Sequence, residues 1–244
     1  MPFQLLPILE TMLQLYQQPP GADRFQAYLK LLQGHTKNDM VLPIGGFNPM
    51  AKAHVLEKLL ELKHLTIEQI IADELKKLNV SLNEKNGSVI KVAFNVCDDL
   101  KGAWTNRFTT DYDSKFKLNA LVSRNFCVPI FWTNEQYSAQ LIVERTLEYC
   151  YRTVYWLSHP NPKTLEEHIA QEMFSAQNTK AETKNGVDFM AMDTFYQTHK
   201  TSTDYNLIFN FLYGDDAVIS LGNTALGIKE PFAGFEFAKW LAAK

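Results

Sequence analysis

Apolar side chains spaced at the 3.6-residue period recur along most of this chain, which commits the bulk of it to helices with one buried face. The clearest stripe is Ile67, Ile70, Ile71, Leu75 and Leu78. It follows Thr66-Ile67-Glu68-Gln69, in which a hydroxyl stands three residues ahead of a glutamine, the pattern that caps two orphan backbone donors at a helix start. The same box recurs at Thr133-Asn134-Glu135-Gln136 and Thr164-Leu165-Glu166-Glu167, so helices are predicted from all three, the second running from Asn134 to Leu157. Further helices are predicted at Phe3 to Tyr16, Arg24 to Leu32, Pro49 to Leu62, Ser114 to Val122, Asp188 to His199, Tyr205 to Tyr213 and Phe235 to Ala242. Strand signals are confined to Met40 to Ile44, Val89 to Cys97 and Phe126 to Trp132, which are short, β-branched or aromatic, and bounded by turn residues. The expected class is α+β, mainly α, with many helices packed around a small sheet of short strands.

The chain has 244 residues, 46% of them hydrophobic, enough for a sizeable core. The polar breaks at 83–88 and 176–186 are too short for interdomain linkers, so residues 1–244 are expected to form a single globular domain. A net charge of −3 argues against a broad nucleic-acid interface, which needs a basic face. No apolar run approaches the ~20 residues of a membrane helix, and the N-terminus lacks a basic signal-peptide region, so no membrane partner and a cytoplasmic location are expected. Cys97, Cys127 and Cys150 have no CxxC spacing and apolar neighbours, the pattern of reduced core thiols.

Two short strings are similar to known motifs. Gly45-Gly46-Phe47-Asn48-Pro49-Met50-Ala51-Lys52-Ala53-His54 resembles the G-x-F-N-P-x-x-x-x-H signature of HxGH-type nucleotidyltransferases. The resemblance implies that the glycine turn and the following helix N-terminus receive phosphate and that His54 stabilises the transferring group. The family's first histidine position holds Ala51 or Lys52, and no S-x-x-T-x-x-R-like segment follows near the C-terminus. Local physics gives the same string another reading, with Asn48 as N-cap and Pro49 as first residue of a helix. Tyr213-Gly214-Asp215-Asp216 resembles the YGDD turn of RNA-dependent polymerases, but it follows a helical stretch, where Gly214 reads as a C-cap and Asp215 as the next N-cap. His168 with Glu172, and Glu144 with Glu148, share helix faces, but Leu165 stands where an E-x-x-H metal pair needs a glutamate, and no metal site is expected. Serine-elbow, P-loop and dinucleotide fingerprints are absent.

The densest chemistry lies after the strand ending at Cys97. Asp98 to Asp113, expected as a loop, carries Asp98, Asp99, Lys101, Trp104, Asn106, Arg107, Asp111 and Asp113. Arg107, Arg124, Arg145 and Arg152 stand close in sequence to Trp104, Trp132 and Trp156, and lysine elsewhere supplies the solvated surface. Planar donors and large aromatics gathered this way suit a pocket or an interface core. The leading expectation is a pocket for a small anionic or polar ligand, bound or transformed. Asp98, Asp99, Arg107, Asp111 and Asp113 are the catalytic candidates, and Lys101, Trp104 and Asn106 are the binding candidates. Alternatives are a non-enzymatic interaction or homo-oligomer face built on the Trp and Arg cluster, and a nucleotidyltransferase-like phosphate site at Gly45 to His54. The residues name no cofactor.

Overall fold

The computed structural model describes residues 2–34, 39–82, 87–100, 104–183 and 186–244. These residues gather into two compact units, one of residues up to 114 with 119–150, the other of 115–118 with 151–244. The architecture is α+β and mainly α, and among the described residues the short parallel strands lie in the first unit.

The first unit opens with β1 (Phe3–Leu5), then α1 (Leu9–Gln17), α2 (Ala22–Gln33), α3 (Ala53–His64) and α4 (Ile67–Leu82). It continues through β2 (Ile90–Val92), β3 (Asn95–Cys97), α5 (Arg107–Phe116) as far as Ser114, α6 (Asn119–Val122), β4 (Phe126–Cys127), β5 (Ile130–Trp132) and the first part of α7 (Ala139–Ser158). The sheet orders are β1-β2-β4 and β3-β5, all parallel, with Phe3 opposite Ile90, Lys91 opposite Phe126 and Asn95 opposite Ile130. Ala93 N–H donates to Cys127 O at 3.1 Å and Asn95 N–H to Pro129 O at 2.9 Å, so the two expected strand runs pair from Lys91 with Phe126 to Cys97 with Trp132. Pro129, which has no N–H to give, stands at the break between β4 and β5. Residues 92–97 are all buried, as in a parallel sheet covered on both faces, which accounts for an unbroken apolar run in place of alternation.

Several boundaries differ from the sequence expectations. Phe3 to Tyr16 is a strand followed by a helix because Pro7 disfavours helical backbone before it and lacks a donor. The Asn79 side chain accepts from Phe3 N–H and donates to Phe3 O, both at 2.8 Å, which fixes the strand to α4. The caps of α1 come from elsewhere in the chain: Glu68 Oε1 accepts from Ile8 N at 2.7 Å and Leu9 N at 2.9 Å. Thr66 precedes α4 and its carbonyl accepts from Ile70 N at 3.1 Å, but its hydroxyl makes no cap bond, its φ of 54° making it the left-handed corner between α3 and α4. Thr133 turns its hydroxyl to Asp99, and α7 begins only at Ala139. Helix α3 starts after Lys52, leaving Asn48 and Pro49 in a turn in which Asn48 Oδ1 accepts from Met50 N. Met40 to Ile44 forms no strand, as Pro43 interrupts it; Phe47 alone bridges to Cys97. The expected 98–113 loop is helical from Arg107, because Asn106 Oδ1 accepts from Phe108 N and Thr109 N and starts α5 there. Asp113 therefore lies within α5 and does not cap a helix at Ser114.

The second unit holds α8 (Leu165–Thr179), α9 (Phe189–His199), α10 (Tyr205–Tyr213), α11 (Asp215–Ser220) and α12 (Ala233–Ala242). The Thr164 box forms as expected, and Asp188 and Asp204 cap α9 and α10. Gly214, at φ 84°, ends α10 and also caps α11, so Asp215 is the first helical residue. Asp215 Oδ1 accepts from the backbone of Leu226, Gly227 and Ile228, so this carboxylate is a loop anchor. Arg152 grips Glu172 through Nε at 2.8 Å and Nη2 at 2.6 Å, both residues buried. All three cysteines are buried and free, and no helix among the described residues is long and apolar enough to cross a membrane.

Backbone presses on backbone where α12 meets α10: a Cβ on Gly234 would stand 2.7 Å from Phe211 O and 2.8 Å from Leu212 Cα. Neither atom can step aside as a flexible side chain would. Gly234→Ala is expected to cost about 3 kcal/mol in chemical denaturation, in the overpacking range. Gly21→Ala, where nothing lies within 4 Å, should stay within about 0.5 kcal/mol.

Candidate functional site

Because β3 and β5 run parallel, their carboxyl ends emerge side by side and hand over to Asp98-Asp99 and to Thr133-Asn134-Glu135. Crevices beyond the carboxyl ends of parallel strands are where open sheets of this kind receive ligands.

Asp99 joins the two strand ends. One of its oxygens accepts from Thr133 Oγ1 at 2.8 Å and from Asn134 N at 3.0 Å, and the other lies 3.5 Å from Arg107 Nη1. Arg107, at the first residue of α5, also donates to Glu135 Oε1 at 2.6 Å and lies over the Trp132 ring at 4.4 Å. Arg145 of α7 and the Tyr137 hydroxyl meet the other Glu135 oxygen, and Lys58 of α3 donates to Glu135 O at 2.5 Å. Burial opposes ionisation of Glu135, but the Arg145 hydrogen bond and charge, the Arg107 charge and the Tyr137 hydroxyl hold its carboxyl down at about 2. Burial likewise pushes the Tyr137 hydroxyl well above the ordinary phenol range.

Asp98 is only 2% exposed and joins the strand end to the glycine turn. Its Oδ2 accepts from Asn48 Nδ2 at 2.9 Å and lies 3.1 Å from His54 Nε2, a close approach without a directed hydrogen bond. Its Oδ1 accepts from Leu100 N, and its carbonyl accepts from Thr105 Oγ1 at 2.6 Å. Gly46 is closely packed: a Cβ there would lie 2.6 Å from Cys97 Sγ and 3.1 Å from Asn95 Nδ2, so these side chains would have to shift. Around the turn, Trp104 Nε1 donates to Gly45 O, Tyr28 OH to Ile44 O, Tyr16 OH to Asn48 O and Arg24 Nη1 to Pro49 O. Burial, with the Cys97 sulfur nearby, pushes the Tyr28 hydroxyl up to about 12.

The residues singled out from sequence fall into distinct places. Asp98, Asp99 and Arg107 lie in the strand-end network. Asn106 is the cap of α5, and Trp104 is half exposed, edge-on to Tyr28 at 6.2 Å and Phe25 at 6.3 Å. Asp111 is buried one turn along α5 from Arg107, whereas Asp113 is exposed. Lys101 lies outside the described residues. The turn ending at His54, weighed from sequence as a separate site, meets Asp98 directly. Glu135, Tyr137 and Lys58 were not expected there, although Thr133-Asn134-Glu135 follows its strand as Asp98-Asp99 follows its own. Burial raises the Cys97 thiol far above its ordinary range, so it is no nucleophile at neutral pH. Among the described residues, no three His, Cys, Asp or Glu side chains gather closely enough to hold a metal ion.

Against family models, curated proteins and solved structures alike, the chain has no match.

Glu135 makes stability depend on acid. Its folded carboxyl titrates at about 2 against an ordinary 4.5, so its contribution is complete above pH ~5 and fades as pH falls toward 2. Glu135→Gln should lower unfolding free energy at pH 7 by roughly 2–3 kcal/mol. In denaturant titrations the gap from wild type should close as pH approaches ~2.

Proposed function

We propose that this protein binds a small polar ligand beyond the carboxyl ends of β3 and β5 and exchanges a proton with it through His54. One observation carries the reading: the buried Asp98 carboxylate, oriented by Asn48, stands 3.1 Å from the Nε2 of a His54 side chain that is 30% exposed. An imidazole beside a carboxylate is an arrangement that general acids and bases use. Salt-linked Asp99, Arg107 and Glu135 brace the two strand ends, keeping Asp98 fixed beneath the histidine. Arg107 is thereby occupied within the protein, so it acts as a positioning residue in this reading. An anionic group on the ligand would find the exposed Lys52 and the start of α3, whose first turn holds no acidic residue.

The second reading is nucleotidyl transfer. The glycine turn seated against Cys97, with His54 in the first turn of α3, favours it, and in this reading phosphate would be received at the same strand end.

A thermal-shift panel of Mg-ATP, sugar phosphates, amino acids and dicarboxylates separates the two. A ligand at a hundred times its Kd should stabilise wild type by about 2.7 kcal/mol. His54→Ala and Asp98→Asn should each weaken that ligand by about tenfold or more. Mg-ATP alone passing this test selects the second reading. Ligand shifts unchanged in His54→Ala, or no shift together with a dimer that Trp104→Ala dissociates, would overturn both in favour of a self-association face.

A further inference from the structure

Arg24 of α2 is a buried cation with no anion at its side. It is 4% exposed, and among the described residues no carboxylate lies within ion-pair distance of it. Its donors go to main-chain carbonyls instead: Nε to Gln18 O at 2.7 Å, Nη1 to Pro49 O at 3.3 Å, and Nη2 to Gln18 O and Tyr16 O. The guanidinium also lies 4.7 Å from the centre of the Tyr16 ring. Carbonyl dipoles and a ring face replace lost water but carry no net charge, and a guanidinium cannot escape burial by giving up its proton.

Asp98 presents the opposite case. It is 2% exposed, and its carboxylate meets Asn48 Nδ2, Leu100 N and, at 3.1 Å, His54 Nε2. Of these only His54 can bring positive charge, and His54 is the group assigned above to gain and lose a proton. A carboxylate compensated by that histidine alone would lose its compensation each time the proton left.

One turn of chain stands between the two charges. Tyr16 OH donates to Asn48 O at 2.6 Å, Asn48 Nδ2 donates to Asp98 Oδ2 at 2.9 Å, and the next carbonyl along, Pro49 O, receives Arg24. Asn48 and Pro49 are both buried, and charges separated by buried groups are screened little. The Tyr16 hydroxyl feels both ends: burial raises its pKa most, the Arg24 charge draws it down and the Asp98 charge pushes it up.

We propose that Arg24 is a positioning residue of the His54 site, the permanent counter-charge of Asp98 acting across the Asn48-Pro49 turn. The proposal rests on the reading of His54 given above and extends it: with Asp98 compensated from behind, the imidazole in front can change charge while its carboxylate stays where it is. Arg24, the one arginine far from the others in sequence, thus serves the strand end that Arg107 and Arg145 serve.

A double-mutant cycle followed by chemical denaturation of the full chain tests this. Arg24→Gln removes the charge and keeps an amide donor, whereas Arg24→Lys keeps the charge and loses the planar fork. Arg24→Gln is expected to lower the denaturation midpoint of wild type, and to lower it by no more than half as much once Asp98→Asn is present, because the guanidinium then balances nothing. Arg24→Lys is expected to lower the midpoint equally in both backgrounds. A drop on Arg24→Gln more than half as large in the Asp98→Asn background would make Arg24 a carbonyl clamp alone and overturn the proposal. Coupling of Arg24→Lys to Asp98→Asn as strong as that of Arg24→Gln would overturn it too, since the two residues would then share geometry and not charge. If Arg24→Gln does not fold, recovery of folding with Asp98→Asn supports the proposal and failure in both backgrounds sinks it. The cycle uses no ligand and leaves His54 in place, so its failure is distinguishable from ligand shifts that survive His54→Ala.

Discussion

Parallel pairing of Asn95 to Cys97 with Ile130 to Trp132 is the constraint on which the first unit depends. Antiparallel pairing would send Asp98 and Thr133 to opposite ends of the ladder. Parallel pairing brings both exits together, and two strands that stop in register deliver two acidic tripeptide-sized segments to one place. Each of Asp98, Asp99 and Glu135 then needs partners, and the supply comes from separate elements: Asn48 and His54 around the glycine turn, Arg107 from α5, Arg145 from α7. The helices around the sheet are thus tied to it by charge as well as by apolar contact.

Such a network is not a large source of stability. Desolvating several charges costs much of what their attraction returns, and replacing a satisfied ion cluster by apolar packing is often neutral. What the cluster does is make alternatives expensive, since displacing any one partner leaves a buried charge uncompensated. The same logic applies in the second unit, where Arg152 and Glu172 face each other almost fully buried.

Much of this was legible in the sequence, and the failures have definite causes. Tyr205 to Tyr213, Asp188 with its helix, and the Thr164 box were readable because local hydrogen bonds decide them. Thr66 and Thr133 carry the same box, yet their hydroxyls do not cap. One residue is bent into a left-handed corner and the other is taken by Asp99, a partner 34 positions away. Phe3 to Leu5 became a strand only because Ile90 to Val92 and the amide of Asn79 were there to receive it. The stretch rich in arginine and aspartate from 98 onward does hold Asp98, Asp99, Arg107 and Arg145, all of which lie at the carboxyl ends of β3 and β5. Its union with the Gly45 to His54 turn was invisible, because a contact between Asn48 and Asp98 has no local signature.

The amide of Asn79 has a meaning beyond holding β1 in place. A strand at the border of a sheet exposes main-chain donors and acceptors that can recruit a strand from another molecule. At Phe3 both of these groups are already satisfied by a side chain from the same chain, in the geometry an incoming strand would use. A single asparagine on a helix thus acts as a one-residue imitation strand, and at that point the sheet border has nothing to offer a second copy seeking to extend it.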